Sequence, residues 1–247
     1  MMRTANPALN TKVFDRIVAY EGSNTMTLSG TVNKCFILVS IAILSAAWGW
    51  HQTEMASGQA GGLMALGGIG GFIFALITIF KNAWAPFTAP IYAILKGIFL
   101  GAISYIYNLQ FEGIVFNAVV LTFGIFFCLL FAYKSRLIKP TENLKLGITA
   151  ATGGIMVLYM VSMMMNMFGS TGITMIHDSG LMGIGFSCVV VVIAAMNLIL
   201  DFDYIEVASE RKLPKYMEWY AAFGLLVTLV WLYLEILRLL AKMSRRN

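Results

Sequence analysis

The chain reads as an all-α polytopic membrane protein, a bundle of seven transmembrane helices. Three observations predict this. The chain is 59% hydrophobic over 247 residues and only 12% charged, where soluble domains carry about 25% charged residues. Its apolar residues gather in seven runs long enough to cross roughly 30 Å of hydrocarbon. Those runs lack the short alternating segments of a barrel, so helices must satisfy the backbone N–H and C=O groups in lipid.

The elements follow in order. Residues 1–33 form a polar N-terminal arm of mixed charge with no early apolar stretch, so no secretory signal is expected. Spans are expected at 34–50, 60–80, 87–107, 113–133, 146–168, 180–203 and 217–241, and residues 242–247 form a basic tail. Short connections make sequential spans antiparallel neighbours. Span 2 is rich in glycine, with Gly67 and Gly71 four apart, and span 3 repeats the spacing at Gly97 and Gly101. Such pairs bare one helix face and invite close packing. Pro86 and Pro90 are expected in the first turn of span 3, where a missing N–H costs little.

Loop charges set the orientation. Arg3, Lys12, Arg16 and Lys34 precede span 1, and Lys81 separates spans 2 and 3. Lys134, Arg136, Lys139 and Lys145 lie around the loop between spans 4 and 5, and Arg211, Lys212 and Lys215 between spans 6 and 7. The alternate loops at 51–59, 108–112 and 169–179 hold no Lys or Arg. The positive-inside rule therefore puts the N-terminus in the cytoplasm. Seven crossings place Lys242, Arg245 and Arg246 outside, against that rule. Either the tail tolerates this or the last apolar segment re-enters. The net charge of +5 thus reads as membrane orientation, with no nucleic-acid partner.

A few polar residues stand out against the apolar background. Asp201, Asp203 and Glu206 close span 6, with Asp201 near the cytoplasmic rim and Glu206 about 140° around the helix from it. Neighbouring carboxylates in partial burial hold protons and offer hard oxygen ligands, making Asp201 a candidate Ca²⁺ ligand. The bland alternative is a solvated acidic helix end. Glu218 opens span 7 beside Trp219 and Tyr220, an interfacial setting. Glu235 and Arg238, three apart, share a face and can pair as an internal anchor. Lys96, mid-span 3, is expected to face the interior, where it can neutralise a carboxylate.

Other residues carry less. Met160, Met163, Met164, Met165 and Met167 read as packing rather than copper ligands. Cys35, Cys128 and Cys188 fit neither a zinc site nor a disulfide framework and read as small apolar residues. His51 and His177, in outer loops, lack a second ligand. No phosphate cradle, zinc-protease helix or nucleophile elbow is present, so neither an enzyme nor a bound cofactor is expected.

Three stretches, in their order along the chain, resemble the Bax inhibitor-1 superfamily and its bacterial YccA-like branch. They are Arg3 to Leu9 in the arm, Gly113 to Thr122 opening span 4, and the end of span 6 through span 7. That last stretch includes Leu198 to Ile205, Glu218 to Phe223 and Leu234 to Leu240. The resemblance implies six helices around a central C-terminal seventh and an inner-membrane location. It also implies a pH-sensitive cation leak, best attributed to Ca²⁺. In the family an aspartate ending the sixth helix shares a proton with one in the seventh at the cytoplasmic mouth, and a late arginine latches it. Asp201 matches the first aspartate and Arg238 the arginine. Thr228 occupies the position of the second, leaving Glu218, Glu235 or Asp203 as substitutes.

The function expected first is therefore a Ca²⁺ leak gated by protonation of carboxylates at the mouth. The alternative is a regulator that binds a membrane protease or stress-response partner through the arm. A proton-coupled transporter ranks third, because the glycine-rich span 2 has no matching broken helix in the other half.

Overall fold

The computed structural model describes residues 24–56, 58, 60–138, 140–168, 173, 178 and 180–246. The arm to residue 23, with its Arg3 to Leu9 stretch, lies outside the described residues, as do Lys139 and His177. Seven helices follow one another: α1 (Leu28–Met55), α2 (Ala60–Phe80), α3 (Ala85–Gln110), α4 (Ile114–Lys134), α5 (Glu142–Met167), α6 (Leu181–Glu210) and α7 (Met217–Arg246). All seven are long and apolar enough to cross a membrane. Every expected span has its helix, although several run beyond the apolar stretch that marked them.

The ends have local causes. The Thr27 hydroxyl caps α1 by accepting the Gly30 N–H at 3.1 Å, so α1 begins at Leu28, ahead of the span expected from residue 34. Thr141 caps α5 in the same way through Leu144. α4 and α6 finish alike. Leu137 N–H reaches back to the Ala132 carbonyl and Arg136 N–H to Tyr133, while Leu213 reaches Ala208 and Lys212 reaches Ser209. These paired bonds form Schellman stops, with Arg136 (φ 59°) and Lys212 (φ 50°) in the left-handed position that glycine usually takes. Pro86 sits at the start of α3, but Pro90 falls in the helix body rather than the first turn.

α7 is the centre. In its most apolar stretch 67% of residues are buried, against 17% for α1, α2 and α4, and it packs against α1, α3, α4 and α6. α1 lies on α3 with backbones almost touching. A Cβ on Gly97 would sit 2.4 Å from the Ala42 carbonyl oxygen, and one on Gly101 2.0 Å from that of Ala46. The glycine pair of α3 thus receives α1, as small-residue spacing allows in lipid. Outward faces carry Phe36, Leu44, Phe72, Phe116 and Phe131, all exposed, as a lipid-facing surface demands. Met160, Met163 and Met164 are also exposed there, so they fill no internal gaps, and Cys128 and Cys188 likewise face outward.

α7 runs unbroken through Arg246. The last segment therefore does not re-enter, and the residues expected as a tail form its final turns. Lys242 is buried there, donating to the Gly183 carbonyl at 3.0 Å and the Ser187 hydroxyl at 2.9 Å on α6. Arg245 reaches Gln110 and lies over the Phe111 ring. These bonds account for basic residues on the otherwise cation-poor far face. The other face is basic, carrying Lys34, Lys81, Lys134, Arg136, Arg211, Lys212 and Lys215.

Candidate functional site

The acidic run that ends α6 sends its carboxylates to different places. α6 continues nine residues past Asp201, about 13 Å at 1.5 Å per residue. Asp201 is therefore well inside the bundle rather than at the rim, and fully buried. It lies within electrostatic range of Cys35 on α1. Asp203 turns to α5 and meets the buried Lys145 at 2.6 Å. Glu206 turns to α4, where it accepts from the Tyr133 hydroxyl and pairs with Arg136 at 2.8 Å. The i, i+2, i+5 spacing separates the three around the helix, and each face meets a different neighbour.

Glu218 opens α7 at the basic face and is fully buried. One carboxylate oxygen accepts from the N–H and the hydroxyl of Thr27, each at 3.0 Å, and from Lys215 at 2.9 Å. Lys34 lies 3.3 Å from the other. Above this knot residues 24–26 cross the α6–α7 loop as a strap. Met26 N–H donates to the Leu213 carbonyl, Lys215 N–H donates to that of Asn24, and Thr25 bridges Pro214. Met26 is buried and belongs to the same core cluster as Ile205, Ala208 and Met217. The strap was not foreseen. Its one sequence signal is the Thr27 cap, and the loop it pairs with lies nearly the whole chain away.

Toward the far face, Arg238 holds Glu235 through contacts of 2.9 and 3.0 Å. Tyr159 on α5 ties the pair across the bundle, donating to Glu235 at 3.0 Å and accepting from Arg238 at 2.8 Å. Because α6 and α7 are antiparallel, Arg238 lies roughly 18 Å deeper from the basic face than Asp201. Arg238 is therefore not beside Asp201, as the latch implied by the resemblance requires. Thr228 is close to Asp201 in depth, buried, with its hydroxyl 3.4 Å from the Gly224 carbonyl. The Ser104 and Tyr233 hydroxyls bond at 2.7 Å between α3 and α7.

Lys96 meets no carboxylate among the described residues. Its stem lies along Gly71 of α2 and its ammonium stands 5.2 Å from the Phe99 ring centre. His51 belongs to the exposed end of α1 rather than to a loop. Among the described residues no group of three or more His, Cys, Asp or Glu side chains stands close enough to hold a metal ion.

The site thus comprises one deeply buried carboxylate, flanked toward the basic face by acids that hold lysines and arginines, and capped by a strap. No curated protein and no solved structure gives a significant match to this chain. The family model described as Bax inhibitor 1 like matches residues 6–245, and with the seven-helix bundle around α7 in view, the chain belongs to that family.

Proposed function

We propose that the protein is a pH-sensitive cation leak for Ca²⁺ in a bacterial inner membrane, its N-terminus cytoplasmic and Asp201 its ion- and proton-binding group. The YccA-like character of the three stretches supports the bacterial setting. The observation that carries the reading is the complete burial of Asp201 inside a membrane span. A carboxylate at that depth is costly and marks ion or proton pathways. Asp203, Glu206, Glu218 and Glu235 each hold a lysine or arginine. The first three clamp different segments together, Glu235 pairs within α7 and reaches α5 through Tyr159, and Lys96 stands aside from the path.

Ionised Asp201 attracts a cation entering from the basic face, and the protonated form does not. Flux therefore falls as pH falls. Residues 24–26 cover the α6–α7 loop at that face and Met26 is buried in the core, so in this reading conduction requires them to move. A leak needs only transient oxygen contacts rather than a closed ligand cage.

The test is Ca²⁺ flux into proteoliposomes between about pH 6 and pH 8, with Asp201→Asn alongside. Flux that rises with pH in the native protein and loses that dependence in the variant supports the reading. Equal pH dependence in both removes Asp201 from the mechanism. Absence of flux at every pH favours the regulator that binds a membrane protease. For that reading the strap is the relevant feature, because it couples the arm directly to the α6–α7 loop.

A further inference from the structure

Two apolar cavities lie end to end between α1 and α4. One, of about 480 Å³, opens near Lys134 and Arg136 at the basic face. The other, of about 500 Å³, reaches toward Trp50 and the Ser104–Tyr233 pair. Both are lined by Val39, Phe123 and Leu229, so they make one groove running most of the depth of the bundle. Its floor is α7. α1 packs on α3 and α7, and α4 packs on α6 and α7, which leaves the side between them open.

We propose that this groove holds one acyl chain of an anionic phospholipid, with the phosphate seated at Lys134 and Arg136. The groove opens sideways at the level of the hydrocarbon, where flexible apolar chains are the surrounding solvent. Charge is confined to one end. Arg136 shares its charge with Glu206, while Lys134 is exposed and makes no ion pair among the described residues. The rim therefore carries a net positive charge at headgroup depth, where basic residues at the end of a span attract anionic lipid. A second copy of the chain would have to supply a ridge matching a long groove, and would leave that charge without an anion. Lipid seated in this groove needs no ion conduction.

The test uses the full chain in vesicles of equal parts phosphatidylglycerol and phosphatidylcholine. The protein is extracted in mild detergent and weighed intact by native mass spectrometry. One retained phosphatidylglycerol per chain is expected, preferred over phosphatidylcholine by about fivefold. Lys134→Glu, on an exposed helix end, abolishes the preference, and Val39→Trp, filling the shared waist, abolishes retention of both lipids. Retention without headgroup preference, or a preference untouched by Lys134→Glu, overturns the proposal. A lipid-free dimer, or a protein carrying no lipid, overturns it too.

Discussion

Glu218 in the first turn of α7 and Thr27 at the start of α1 are joined by two hydrogen bonds to one carboxylate oxygen. The same Thr27 hydroxyl accepts the Gly30 N–H, so one residue caps its own helix and ties it to another. Gly30 is what allows the approach, since a Cβ there would lie 2.1 Å from the Glu218 carboxylate. The two cations at Glu218 come from either side of the junction, Lys34 from α1 and Lys215 from the loop.

Glu218→Gln keeps the shape and removes the charge. It leaves two lysines without their anion and weakens the bonds to Thr27. A buried pair broken on one side costs about 3 kcal/mol, reduced here because Lys215 is 45% exposed. The expected loss is about 2 kcal/mol, read as a lower unfolding midpoint in detergent. Proteolysis near residues 24–27 should rise with it. An unchanged midpoint would mean that the knot is already open in solution.

Lys212→Gly should move stability the other way. Lys212 is exposed and held at φ 50° at the stop of α6. A non-glycine residue there costs about 1 kcal/mol, and glycine removes that strain. The gain is expected to be about 0.5 kcal/mol after the entropy that glycine adds to the unfolded chain. Arg136 has nearly the same backbone, but Arg136→Gly also removes the pair with Glu206, so its gain should be smaller or absent. Parallel unfolding curves for the two variants separate backbone strain from side-chain pairing.

How far the sequence revealed this molecule depends on the range of each interaction. The seven helices are local facts, set by apolar runs and helix caps. Glu235 and Arg238 were legible because their spacing puts them on one face of one helix. The partners of Asp203, Glu206 and Glu218 were not. Each pairing needs a different neighbour (Lys145 of α5, Arg136 after α4, Lys34 of α1), and helix adjacency is not written in any single span. Lys96 misled for the same reason: mid-span position implied an interior partner, whereas α3 turns that face to the glycines of α2. Asp201 lies deeper in the bundle than the rim position its apolar run implies, because α6 carries polar residues beyond that run.

The far-face knot gives a prediction that separates stability from gating. Glu235 is 2% exposed and Arg238 is its cation. Arg238→Gln strands a buried carboxylate and should cost about 3 kcal/mol. Adding Glu235→Gln removes that charge and should recover most of the loss. Because the knot is far from Asp201 in depth, the pH dependence of Ca²⁺ flux should survive in the double variant. Its disappearance would move the gate to the far face.

Thr228 offers the sharpest test of the buried layer around Asp201. It lies on α7 at nearly the depth of Asp201, buried, with its hydroxyl 3.4 Å from the Gly224 carbonyl of its own helix. Thr228→Asp places a second carboxylate in that layer without a large change in volume. Two such groups in one low-dielectric layer cannot both ionise freely, so they titrate as a pair. If Asp201 governs flux, the variant should lose flux over a pH range displaced upward from that of the native protein, because one proton is now held more tightly. Combining it with Asp201→Asn should abolish the displacement, since the partner charge is gone. A displacement that persists in the double variant would show that residue 228 acts alone, and that the layer shared by α6 and α7 is not a coupled site.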